Sequence, residues 1–265
     1  HVQVERKGFR SSLAPELALQ DSAALLERIR RAPNVAAAAP RVQVQALAST
    51  AAKSEGIVLM GVDPDAERRV TFIDRTVVEG QALAPGADRE ILVGRRLAEK
   101  LRVRLGEKIV VMAQAANGEI ATGAFRVRGI FATESNAFDG VYAFVTLTAA
   151  QSLLDLGDRT STINIRLADR AHLEQTIEAL RSNGGYEQVV FTPWQQLLPQ
   201  IAEMVRLNRT ISQIVNAILL LVVASAVMNT VFMAVAERTR EFGVMMALGT
   251  PPAAIRRMVV YETLA

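Results

Sequence analysis

Val2 and Val4 alternate with His1, Gln3 and Glu5, the period of a strand with one face covered. Ser22-Ala23-Ala24-Leu25-Leu26-Glu27-Arg28-Ile29-Arg30-Arg31 then sets Leu25, Leu26 and Ile29 on one side of a helix. Asp21 before it and Pro33 beyond it fit a helix start and stop. Residues 42–47 alternate again, and 57–62 are apolar enough for a more deeply buried strand. Strand, helix, strand, strand predicts an α+β lobe. From about residue 90 the pattern turns β-rich, with strands at 91–93, 109–112, 125–131 and 141–147, a helix over 95–100 and a turn at 105–108. Asn117-Gly118 between alternating flanks predicts a hairpin. Residues 90–150 thus read as a small barrel or an inserted lobe. Strands at 163–167 and 188–191 follow, with a helix over 171–182 and a turn at Gly184-Gly185.

At Thr192 the pattern changes. Thr192-Pro193-Trp194-Gln195 supplies a cap, a proline for the first helical position and a glutamine behind it, so a helix is expected there. Residues 192–209 form a stalk, and 210–236 are 27 residues without a charge, enough to cross a bilayer as a helix. A continuous helix over 194–236 would be about 64 Å long, with a kink at Pro199. Within the span lie Ser212, Gln213, Asn216, Ser225, Asn229 and Thr230; such groups are costly against lipid, so Asn216, Ser225 and Asn229 are expected to pack against other helices. Arg238, Arg240, Arg256 and Arg257 follow the span closely, against Arg206 and Arg209 before it, which places residues 237–250 in the cytoplasm. A short helix with Phe242, Met245 and Leu248 on one face is expected there, docked in a partner's groove or lying in the headgroup layer. Gly249 ends it, Thr250-Pro251-Pro252 opens the next helix, and 251–265 begin another apolar segment. The opening His1 leads us to expect a fragment with an earlier membrane helix before it.

Composition narrows the chemistry. Apolar residues make up 50% and charged ones 22%, with a net charge of +3 and no basic run, so a nucleic-acid face is not expected. The absence of cysteine excludes disulfides and thiol catalysis within these residues. No phosphate-binding loop of the G-x-x-x-x-G-K-[ST] type occurs, so ATP hydrolysis is not expected of this chain. Asp63-Pro64-Asp65 reads as a turn rather than a metal pair, His172 as a solvated helix residue, and Trp194 as an anchor for the helix start.

Glu237-Arg238-Thr239-Arg240-Glu241-Phe242-Gly243-Val244-Met245-Met246-Ala247-Leu248-Gly249 resembles the ERTREIG…ALG signature of the MacB/LolC/LolE/FtsX group of ABC-transporter permeases. Gly61-Val62-Asp63-Pro64 is similar to that group's GVDP. Ile91-Leu92-Val93-Gly94 with Leu105-Gly106-Glu107, Phe125 to Phe131, and Ala149-Ala150-Gln151 match later landmarks in order. The opening strand is closer to LolC and LolE, the loop closer to MacB. The resemblance implies porter-like and sabre-like lobes on the periplasmic side over residues 1–191, the sabre-like one at about 90–150, followed by a transmembrane helix of a multi-pass inner-membrane protein. It implies that 237–249 is a coupling helix contacting a separate ATPase subunit, which would hold ATP and magnesium, while this chain binds no cofactor or metal. The implied partners are that ATPase, a second permease copy or paralogue, a lipoprotein, and a periplasmic carrier or adaptor near residues 112–124. The implied function is ATP-driven release of lipoproteins by mechanotransmission. Export with an adaptor, as by MacB, and signalling to a cell-wall hydrolase, as by FtsX, are the alternatives.

Overall fold

The first strand of the chain finds its neighbours at the far end of the lobe it opens. In the computed structural model, which describes residues 2–169, 171–182, 188–197 and 199–264, the chain divides into two units, residues 1–197 and 198–265. His1 and the Gly184-Gly185 turn lie outside the described residues. The first unit opens with β1 (Val2–Arg6), α1 (Phe9–Ser12), α2 (Ser22–Arg30) and the long β2 (Val35–Ser49). Next come β3 (Ser54–Val62), α3 (Pro64–Val70), β4 (Val77–Gly80), β5 (Glu90–Gly94) and α4 (Arg95–Leu101). They are followed by β6 (Lys108–Gln114), β7 (Ile120–Phe131), α5 (Asn136–Asp139), β8 (Tyr142–Thr146) and α6 (Leu147–Leu153). The chain returns through β9 (Thr162–Leu167), α7 (Leu173–Ser182), β10 (Val189–Pro193) and the single turn α8 (Trp194–Leu197).

Strands β10, β1, β9 and the first half of β2 lie side by side in that order, all antiparallel. With α2 and α7 in the two crossovers, this is the β-α-β-β-α-β plan, with residues 50–161 inserted between its second and third strands. Val4, Leu25, Ile29, Ile165, Leu180 and Phe191 belong to the core beneath those helices. β2 then continues into the insertion, where residues 41–49 pair with β3 and 46–49 with β6 on the other edge. The circuit β2-β3-β8-β5-β7-β6 closes back on β2, leaving β4 as a short flap on β7. Closure removes free strand edges. Val44, Leu59, Val93, Val111, Val127 and Val145 fill its interior.

Local chemistry sets the corners. The Asp63 carboxylate accepts from the backbone N–H groups of Asp65 (3.0 Å) and Ala66 (3.2 Å), and Pro64 takes the first helical position of α3. Between β6 and β7, Gly118 has φ +86°, and its N–H donates to the Ala115 carbonyl. A side chain is disfavoured there, as at the bulge of a three-residue hairpin loop. Two expected caps are replaced. Asp21 is left-handed (φ 51°) and makes no capping bond; instead the Ser22 hydroxyl donates to the Asp158 carbonyl at 2.8 Å, so long-range pairing sets that helix end. Thr192 and Pro193 stay extended, opposite Gln3 and Val2, so the helix starts one residue later at Trp194. Proline is tolerated because β10 is an edge strand.

The second unit is helical: α9 (Pro199–Glu237), α10 (Thr239–Ala247) and α11 (Pro252–Leu264). α9 has 39 residues, about 58 Å at 1.5 Å each. It begins at Pro199, the helix-start position that suits proline, and Leu198, where the expected kink falls, lies outside the described residues.

Candidate functional site

In α9 none of the most apolar stretch is covered by the rest of the chain. A soluble protein would bury such a helix, whereas a bilayer solvates it. The hydroxyls inside it are satisfied without neighbours: Ser212, Ser225 and Thr230 donate to the carbonyls of Asn208 (2.9 Å), Leu221 (2.8 Å) and Ala226 (3.1 Å). Of the three residues expected to pack against other helices, Ser225 therefore needs no partner for its hydroxyl. Asn216 and Asn229 are exposed and have no side-chain hydrogen bond among the described residues.

At the far end of α9 the chain turns sharply. Glu237 is its last residue and is exposed, while Arg238 is half-buried between helices, its Nε 3.3 Å from the Glu241 carboxylate. The Thr239 hydroxyl donates back to the Val235 carbonyl at 3.1 Å. α10 packs against α9 and turns Phe242 inward, where it is 8% exposed. Met245 is half-buried, whereas Leu248 is 82% exposed. The stripe Phe242, Met245, Leu248 therefore runs from the inside of the corner to the outside and does not form one docking face. The side opposite Phe242 carries Arg240, Gly243, Val244 and Ala247, all exposed. Val244 was not singled out from the sequence; its spacing of four from Arg240 was the available signal.

Two glycines in this segment have different physical reasons. Gly249 has φ +97°, its N–H donates to Met246 and that of Thr250 to Met245, the paired bonds that end a helix on a left-handed residue. Gly243 is inside α10, and a Cβ there would meet nothing within 4 Å. Glycine within a helix costs about 1 kcal/mol relative to alanine, and no contact inside the described chain requires it.

The first unit brings its two ends together. Val2 at the start of β1 pairs with Pro193 at the end of β10. Arg10 ties them further, lying 3.4 Å from the buried Glu5 carboxylate and donating to the Gln196 carbonyl of α8 at 3.3 Å. Burial pushes the Glu5 pKa up, opposed by Arg10 and by the Gln3 amide. Elsewhere the ionic contacts are structural. Arg41 donates to Glu67 (Nε to Oε2, 3.0 Å), which also accepts from the Thr71 hydroxyl. Asp88 is held below its ordinary pKa by the hydroxyls of Thr146 and Thr148. Asp63 is occupied as a helix cap, and no group of three potential metal ligands occurs among the described residues. His172 is exposed, its Nδ1 2.9 Å from Asp169, and Trp194 is half-buried at the start of α8.

Comparison with known proteins places these features together in one lineage. Residues 1–183 match the MacB-like periplasmic core domain, and residues 214–265 the FtsX-like permease C-terminal region. The chain is 25% identical over 245 residues to the lipoprotein-releasing system transmembrane protein LolC of Neisseria meningitidis serogroup B, covering 90% of the chain and 59% of that protein. It is 22% identical to the corresponding LolE of Haemophilus influenzae, covering 89% and 58%. The chain thus spans less than two thirds of these relatives. Among solved structures, the periplasmic region of MacB from Actinobacillus actinomycetemcomitans superposes with a TM-score of 0.53 at 12% identity, covering 76% of the chain and 92% of that structure. The extracellular domain of the ABC-type transporter YknZ from Gram-positive bacteria gives 0.52 at 14% identity, covering 73% and 100%. The first unit has the fold of these extracytoplasmic domains.

Proposed function

The chain belongs to the family of the MacB-like periplasmic core domain, and from that premise we propose that it is the non-catalytic permease subunit of an ABC transporter that releases lipoproteins from a bacterial inner membrane. The relatives named for lipoprotein release support the cargo, and the match of residues 1–183 to a periplasmic core domain supports an outward-facing lobe.

The observation that carries the coupling role is Gly243, a mid-helix glycine on the bare side of α10 with open space where a side chain would stand. A glycine there suits close approach by a partner's surface, and the partner we infer is a separate ATPase subunit that holds ATP and magnesium. Binding and hydrolysis of ATP in that subunit would displace α10. α9, a helix of about 58 Å, would carry the displacement across the membrane. Because β10 is hydrogen-bonded to β1, the first unit would respond as a body rather than fray at one end. A periplasmic carrier would then receive the lipoprotein. The loop's closeness to MacB favours a second reading, export with a periplasmic adaptor.

Reconstitution of the full-length protein with its ATPase and a lipoprotein in vesicles tests both. ATP-dependent transfer of lipoprotein to a soluble carrier is expected, and Gly243→Trp or Glu241→Lys should abolish it while membrane insertion persists. Normal transfer in both variants would remove α10 from the ATPase contact. Adaptor-dependent export without lipoprotein transfer would replace the cargo.

A further inference from the structure

Asn229 is the one strongly polar side chain in the last third of the span that its own helix does not satisfy. Ser225 and Thr230 return their hydroxyl hydrogens to α9 itself, but the Asn229 amide has no partner among the described residues. The side of α9 on which the chain folds back is also recorded. Of residues 210–236, only Val231 and Val235 are partly covered, and Arg238 continues that line where α10 begins. At about 100° per residue these three fall within an arc of about 60°, and Asn229 lies about 120° to 180° away from them. The following helices are therefore on the wrong side to serve it.

We propose that Asn229 faces the α9 helix of a second copy of this chain and pairs with the same residue there. A primary amide carries both donors and an acceptor, so two of them across a two-fold axis satisfy each other without any further polar group. In hydrocarbon such a bond replaces an unmet one, and interhelical asparagine contacts of this kind hold membrane helices together. Ser225, one turn earlier and about 40° round, is small and already satisfied, so the two backbones can approach. Asn216 lies about 140° round the helix from Asn229 and belongs to a different contact. The proposal rests on α9 spanning the membrane.

Cysteine capture tests it, because the 265 residues contain no cysteine. Single cysteines at Ser225, Asn229, Val231 and Asn216 would be oxidised in the full-length protein in its own membranes, with any cysteine elsewhere replaced by serine. A disulfide needs Cα atoms within about 7 Å, so Asn229→Cys should give a covalent homodimer about tenfold more readily than Asn216→Cys or Val231→Cys. Asn229→Leu should lower the dimer fraction in mild detergent, and Asn229→Gln should preserve it. A membrane-held monomer with Asn229→Cys, equal capture at Asn216, or a cross-link to a protein of another size would overturn the pairing alone. Recovery of the protein in the alkaline-extractable fraction would overturn the spanning helix and the pairing with it.

Discussion

Glu5 occupies a polar position of an alternating strand, where exposure is the expectation, yet α1 packs on β1 and the side chain is buried. That burial raises its pKa, with Arg10 and Gln3 pulling the other way. A carboxyl with a raised folded-state pKa stabilises the fold fully below its unfolded pKa, and that contribution is lost as pH rises through the folded value. Asp88 behaves in the opposite sense. Its pKa is lowered by the hydroxyls of Thr146 and Thr148, so its contribution is present above the unfolded pKa and is lost as pH falls through the folded one. Urea midpoints measured against pH should separate the two. Glu5→Gln should remove the loss on the alkaline side of the ordinary glutamate range, and Asp88→Asn should flatten the acid limb. A Glu5→Gln curve parallel to the parent's would mean that water reaches the Glu5 carboxyl in the folded lobe. Neither effect was legible in the sequence, because each depends on residues far away in the chain.

Gly61-Val62-Asp63-Pro64 shows how a short string can specify a junction between elements. Val62 is buried at the end of β3, Asp63 caps α3 and Pro64 starts it. Gly61 is needed for another reason, since a Cβ built there would stand 2.3 Å from the Ala150 Cβ on α6. The helix can lie against β3 only because that side chain is missing. Gly61→Val should therefore destabilise the first unit by about 1–3 kcal/mol, the usual cost of overpacking, read as a lower urea midpoint with an unchanged slope. A midpoint within error of the parent's would mean that α6 can shift without loss. The motif was visible in the sequence, as were most helices and strands, because their periods are short-range. The inward turn of Phe242 was not, since the apolar period of α10 gives a stripe but not which side of it the preceding helix covers.

At the scale of the whole chain, the least legible feature was that β2 serves two lobes. Its first half is the run Ala36-Ala37-Ala38-Ala39-Pro40, with no alternation and a proline, so only residues 42–47 read as a strand. Nothing local says that residues 35–41 pair with β9, more than a hundred positions later. The boundary between the units was legible, because solvent preference is a sum over many residues. The first unit contains its own cores and pairs its first strand with its last, whereas α9 leaves residues such as Leu220, Leu221, Met228 and Phe232 bare. Each large apolar side chain moved from water to lipid is worth roughly 1.5–3 kcal/mol, so a dozen of them far exceed the free energy available to hold the span in solution. A chain ending at Pro193 should then be monomeric and folded without detergent, with a cooperative urea transition. The chain carried through residue 264 should pellet with membranes and need detergent for extraction. If the longer chain stays in the aqueous phase as a monomer, α9 is covered in a way that requires a different arrangement of the second unit, and the transmission of force through it would have no physical basis.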